Sequence, residues 1–288
     1  MMKKCISYWS FEGGLEGEKD IGECFHEAKE AGYDAVELAV AESGELTTET
    51  REQECKEILK KAGDAGIEVS SLATGLFWDY SLTDDDPQIA EKAQGVVRKM
   101  LQIAAWLELD TILVVPGAVH VFFLPDSQPL RYDIVYERSK KALEELVPAA
   151  EKLQVAIGIE NVWNKSLLRP LEMRDFVDQF GSDYLGVYFD VGNVLLFGYP
   201  EHWIEILGHR IKKVHLKDFK TSLGTAEGFC DLTEGDVNWK AVMQSLGNIG
   251  YDSYLTAEMV PPTPGIVQKT SPAIDTIMSY GGGEKNVD

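Results

Sequence analysis

The sequence predicts a single (β/α)8 barrel of the α/β class. Eight short apolar, β-rich runs alternate with helical patterns along the chain, the element order of a parallel barrel or a doubly wound sheet. The 288 residues match the length of one such barrel. The open-sheet alternative is disfavoured because no GxGxxG or GxxxxGK(S/T) follows any strand.

The first run, CISYWS, covers residues 5–10 and precedes a helix near 20–31. AVELAV (35–40) is second, followed by a helical pattern from about Thr47 to Ala65 that Gly66 ends, since glycine tolerates the left-handed cap. EVSSLAT (68–74) is third, and Pro87 suits the first turn of a helix running to about Leu107. TILVVPG (111–117) is fourth. The long aromatic loop 118–130 then reads as a lid or substrate wall. A helix over 132–153 carries Pro148, which is expected to bend or split it. VAIGIEN (155–161) is fifth, with a helix over 170–180. LGVYFDVG (185–192) is sixth, with a short helix over 200–207. IKKVHLKDF (211–219) is seventh, with a helix over 239–247. YLTAEM (254–259) is eighth, with a last helix over 265–280. No linker or composition break divides the chain, so residues 1–288 are expected to form one domain with a flexible tail over 281–288.

Four charged residues stand at the ends of runs five to eight: Glu160, Asp190, His215 and Glu258. A charge inside an apolar strand is costly unless it is paired or binds a metal. Strands of a parallel barrel all end on one face, where active sites form, so these distant residues are expected to converge. Three carboxylates and one imidazole suit a divalent cation. Any one of them alone would read as a barrel-mouth residue with an ordinary polar partner.

Composition excludes several classes. The formal net charge of −21 repels nucleic acid and anionic membranes. Hydrophobic residues at 44% are too many for a disordered chain. No apolar run of about 18 residues provides a membrane span. The start, MMKKCISYWSFEGG, lacks a signal-length apolar stretch, and the protein is expected to be cytoplasmic. Four scattered cysteines form no CxxC pair and read as reduced core or boundary residues.

The segments IEN (159–161), FDVGN (189–193), VHLKD (214–218), TEGDVNW (233–239) and AEM (257–259) give the chain a family resemblance. It resembles the xylose-isomerase-like TIM barrels, the sugar phosphate isomerase/epimerase group, over nearly its whole length. Within that group it is most similar to the ketose 3-epimerases, including L-ribulose and L-xylulose 5-phosphate 3-epimerases and D-tagatose and D-psicose 3-epimerases. The resemblance implies that Glu160, Asp190, His215 and Glu258 bind one divalent ion, commonly Mn²⁺, with Mg²⁺, Co²⁺ or Zn²⁺ as substitutes. Asn193 stands where free-ketose 3-epimerases usually carry His, and Lys217 where they tend to carry Arg. Both features look closer to the sugar-phosphate branch.

Epimerisation beside a carbonyl needs the carbonyl polarised and two bases on opposite faces. Glu160 and Glu258 are the expected pair, with Asp190 and His215 as ligands only. Lys217 is expected either to hold an anionic substrate group or to pair with Asp218. His120 and Arg169 are phosphate candidates. Asn161 and Asn193 are candidates for orienting carboxylates or binding hydroxyls, and Trp163 and Trp78 for packing on a sugar face. An aldose-ketose isomerase would use the same parts. A keto-polyol dehydratase, with His120 as its acid, and a non-catalytic sugar-binding relative are the alternatives. The expected partner is a small sugar or sugar phosphate, and the aromatic stretch 121–125 allows for a homodimer or homotetramer.

Overall fold

The computed structural model of the protein describes residues 1–282. Eight parallel strands close into a barrel: β1 (Lys3–Ser7), β2 (Ala35–Val40), β3 (Glu68–Thr74), β4 (Thr111–Val114), β5 (Ala156–Glu160), β6 (Leu185–Asp190), β7 (Ile211–Leu216) and β10 (Tyr254–Ala257). Around the barrel the order is β1-β10-β7-β6-β5-β4-β3-β2. A short antiparallel ribbon, β8 (Asp218–Phe219) with β9 (Phe229–Cys230), stands outside it.

The helices fall close to where the patterns place them, except that the end of the sixth run, expected as strand through Gly192, turns into the short α6: α1 (Ile21–Glu30), α2 (Glu52–Ala65), α3 (Pro87–Trp106), α4 (Tyr132–Leu153), α5 (Pro170–Asp178), α6 (Val191–Val194), α7 (Pro200–Leu207), α8 (Trp239–Asn248) and α9 (Ile266–Ser279). Local chemistry sets several ends. Asp20 accepts from Glu23 N–H at the start of α1, and Asp86 from Gln88 N–H just before Pro87. Gly66 ends α2 at φ 67°, the left-handed cap the sequence implies.

Four other expectations change. The second helix starts at Glu52, because Thr47 and Thr50 fold their hydroxyls onto local backbone N–H groups instead. The fourth runs unbroken through Pro148. The seventh run divides after Leu216: its last residues leave the barrel and pair with β9. Of the tail expected to be flexible, Gly281 and Gly282 continue a 3-10 turn from Tyr280, and the rest lies outside the described residues. Among the described residues no helix is long and apolar enough to cross a membrane.

The apolar core lies between the strands and the helical ring, where side chains such as Val36, Leu38, Ile157 and Phe189 are fully buried. The barrel interior is more polar. Glu37 on β2, Ser71 on β3, Tyr188 on β6 and His215 on β7 meet there, all fully buried. Toward the opposite mouth, buried Lys213 pairs with Asp110 at 2.8 Å and donates to Ser253 at 3.1 Å.

Candidate metal centre

Glu160 ends β5, Asp190 ends β6, His215 is the penultimate residue of β7 and Glu258 directly follows β10. Strand register aligns them. Asp190 pairs with His215 across β6 and β7, and Leu216 pairs with Ala257 across β7 and β10. Each of the four offers a donor atom within 4.8 Å of the others, and all four are buried. His215 Nδ1 lies 3.1 Å from Glu258 Oε2 and 3.7 Å from Glu160 Oε1. The positions that the sequence singles out therefore do come together.

Three atoms of this cluster, Asp190 Oδ2, His215 Nδ1 and Glu258 Oε2, are buried and make no directed hydrogen bond. Their nearest neighbours are one another and the Lys217 ammonium, which lies 2.5 Å from Glu258 Oε2 and 3.2 Å from Asp190 Oδ2. One nitrogen and several carboxylate oxygens turned toward a common point form the donor set of a divalent cation, so the residues fit such an ion.

A glutamate that sequence reasoning passed over sits behind the cluster. Glu37 holds His215 Nε2 at 3.0 and 3.2 Å through its two oxygens, accepts from Ser71 at 3.0 Å, and accepts a very short bond from the Tyr188 hydroxyl. A carboxylate on the far nitrogen of an imidazole fixes the tautomer and turns the near nitrogen outward as a ligand. Glu37 could have been found by the argument applied to the strand ends, since it is a charge inside the apolar run AVELAV. It was missed because it stands mid-strand.

The two candidate bases are driven apart electrostatically. Burial pushes the Glu160 carboxyl up to about 7, and the charge on Glu258 adds to this while His215 opposes it. Burial also opposes the charge on Glu258, but Lys217 and His215 outweigh it and hold that carboxyl well below its ordinary range. Burial raises Asp190, against Lys217. Burial disfavours a charge on His215, yet Glu37 and Glu258 hold the imidazole well above its usual value. A bound cation needs His215 Nδ1 free of its proton, and a proton on one oxygen of Glu160 weakens that carboxyl as a ligand. Metal affinity is therefore expected to rise with pH, through about 7 for Glu160 and further for as long as His215 holds its proton, by roughly tenfold per unit for each proton released. Calorimetric titration with Mn²⁺ at a series of pH values measures this, and a flat affinity would rule out protonated ligands.

The other candidates separate. Lys217 Nζ contacts Glu258 at 2.5 Å and Asp190 at 3.2 Å, so it pairs with the cluster and not with Asp218. Asn161 spends its side chain on the backbone of Asp190, donating to its carbonyl at 2.8 Å and accepting from its N–H at 2.9 Å. It lies outside the main cavity lining and clamps the strand end. Asn193 donates to the Asn161 carbonyl at 3.1 Å and does line the cavity, as do Trp163 and Trp78. Trp163 donates to the Asn193 carbonyl at 2.9 Å. Arg169 is exposed and turned to the Leu168 carbonyl, and neither it nor His120 lines the cavity. The reason is local: Arg169 precedes α5 on the outer ring, and the His120 backbone is tied to the Asn164 carbonyl.

Asp218 organises the ribbon beside the site. Its buried carboxylate accepts from Phe219, Val237 and Thr233 N–H groups and from Trp239 Nε1, at 2.9, 3.2, 2.9 and 3.0 Å. Gly235 packs on the same carboxylate so closely that a Cβ would overlap it. Asp218→Ala leaves several donors unpaired and is expected to cost about 3 kcal/mol or more. Urea unfolding measures this, and an unchanged midpoint would show that the ribbon is held by something else.

Residues 25–275 match the family model for the xylose isomerase-like TIM barrel, and the chain belongs to that family. A curated relative, an uncharacterized protein of Methanocaldococcus jannaschii, is 25% identical over 197 residues. That match covers 66% of this chain and 64% of the relative, so it spans less than two-thirds of the relative's length. Among solved structures, a D-psicose 3-epimerase in the presence of D-fructose superposes with TM-score 0.79 at 18% identity, covering 98% of this chain and 100% of that one. The IOLI protein with a binding zinc atom gives TM-score 0.72 at 16% identity, covering 98% and 100%. At these identities the likeness is one of fold.

Proposed function

We propose that the protein is a metal-dependent sugar epimerase or isomerase that moves a carbon-bound proton next to the carbonyl of a ketose. The observation that carries this reading is the pair of glutamates, Glu160 and Glu258, buried in one cluster at the floor of the cavity, with the Lys217 ammonium 2.5 Å from Glu258 to favour its charged form. Stereochemical inversion needs one base free and one acid loaded at the same time. Two strands, β6 and β7, separate β5 from β10 in the barrel, so the two carboxyls approach a substrate from different sides.

A divalent ion held by Glu160, Asp190, His215 and Glu258, with Mn²⁺ the first choice and Mg²⁺, Co²⁺ or Zn²⁺ compatible with the mixed donor set, would supply the positive charge that acidifies the C–H bond. Ionised Glu258 then accepts the proton, and protonated Glu160 returns one to the other face. Lys217 keeps Glu258 ionised. Asn193 presents an amide to the cavity for a hydroxyl. The epimerase reading gains support from the ketose epimerases with which the fold superposes. It is preferred to a dehydratase because His120, the residue that would protonate a leaving hydroxyl, stands outside the cavity lining.

Proton NMR in D₂O, with metal-loaded protein and a panel of ketoses, tests the proposal. Deuterium at C3 together with a new epimer is the expected result, and deuterium at C1 would mean aldose-ketose isomerisation. Bound metal with no exchange into any sugar would overturn proton transfer as the reaction.

A further inference from the structure

We infer that the carbohydrate taken by this site is neutral and carries an apolar substituent, an aryl or alkyl group attached to the reacting sugar. The inference rests on the proton-transfer reading for what happens at the cavity floor, and on the cavity walls for the rest.

The first observation is size. The cavity above Glu160 and Glu258 holds about 630 Å³. A hexose has about a dozen heavy atoms. Even at liquid water's share of about 30 Å³ each, it would fill only about 360 Å³. A bare monosaccharide seated on the floor therefore leaves much of the space empty.

The second is what the remaining space offers. A chain of aromatic rings runs along the mouth: Trp78 meets Phe123 edge-on at 5.0 Å, Phe123 meets Phe122 at 5.2 Å, Phe122 meets Trp163 at 6.2 Å, and Trp163 meets Phe229 at 5.1 Å. All five rings line the cavity. Phe122 and Phe123 line the cavity and remain 54% and 45% exposed, an uncovered apolar surface at its mouth. Hydroxyl-rich sugar beyond the reacting carbons would find few hydrogen-bond partners on these rings, whereas a ring or alkyl chain would be desolvated by them.

The third is charge. Among the described lining residues Lys217 is the one cation, against Glu160, Glu258, Asp218, Glu227 and Asp231. Lys217 is already paired with Glu258 and Asp190. Even with a divalent ion on the floor, the acidic lining outweighs the cations, and a phosphate dianion would meet no free Lys or Arg there, in a chain of net charge −21. Arg169 and His120 stand away from the cavity and cannot supply one.

Two measurements on the metal-loaded protein test this. Tryptophan fluorescence, reporting from Trp78 and Trp163, follows titration with phenyl β-D-glucoside, methyl β-D-glucoside, glucose and glucose 6-phosphate as unreactive probes. Phenyl glucoside is expected to bind at least tenfold more tightly than methyl glucoside, and glucose 6-phosphate no more tightly than glucose. Phe123→Ala and Phe229→Ala should each shrink the phenyl preference, which ties it to the aromatic wall. Deuterium exchange is then compared for fructose and fructose 6-phosphate, with fructose expected to exchange at least as fast. Equal binding of the phenyl and methyl glucosides would overturn the apolar class. A tenfold preference for either phosphate would overturn neutrality while leaving proton transfer standing. Absence of exchange with any sugar would overturn proton transfer, while a phenyl preference would still support the apolar substituent.

Discussion

Glu258→Gln should lower epimer formation by about 100- to 10,000-fold, the range for loss of a positioned acid-base group, in a protein that still folds. Glutamine matches glutamate in shape but cannot accept a proton. The variant also removes the charge that pairs with Lys217 at 2.5 Å and lies 3.1 Å from His215. Glu160→Gln should lose epimer formation by a similar factor for a different reason: burial holds this carboxyl partly protonated near pH 7, and the amide mimics that neutral form without being able to release its proton. Because the neutral form is already populated near pH 7, Glu160→Gln should change thermal stability less than Glu258→Gln. NMR product analysis and thermal unfolding read both variants. Full epimerase activity in either would end the two-base mechanism.

Glu37→Gln should weaken metal binding by about 10- to 100-fold, as expected when the partner behind a ligating histidine is lost. Glu37 accepts on both oxygens from His215, Ser71 and Tyr188. A glutamine presents an NH₂ on one side. If that NH₂ faces His215, the imidazole must turn its lone pair to Nε2 and carry its proton on Nδ1, the nitrogen aimed at Glu160 and Glu258. The ligand atom is then blocked. Glu37→Ala should be harsher, since it leaves His215 and Tyr188 buried without their partner, and removing one member of a buried charged pair costs about 3–5 kcal/mol. Calorimetry with Mn²⁺ on the glutamine variant separates the two effects. Affinity equal to that of the parent protein would show that Glu37 only fills space.

The order of the elements and the ends of strands five to eight were legible because each rests on local chemistry. Alternating strand and helix periods, Gly66 at a left-handed cap and Pro87 at a helix start are decided by neighbours in the chain. Glu160, Asp190, His215 and Glu258 stood out because a charge in an apolar run demands a partner, whatever that partner is. The partner's identity is another matter, because it depends on which strands face each other across the barrel. Glu37 on β2 meets Tyr188 on β6 from the opposite wall, and no spacing along the chain encodes that meeting. The partners of Lys217 were likewise open between its neighbour Asp218 and something distant. The fold decided it: Lys217, in the one-residue step between β7 and β8, reaches Glu258 and Asp190, while Asp218 leaves the barrel to hold the ribbon. Arg169 and His120 carried the right charge or chemistry for a phosphate, but charge is a property of a residue and reach is a property of the fold. Only closure of the barrel decided that the cavity wall is aromatic and acidic.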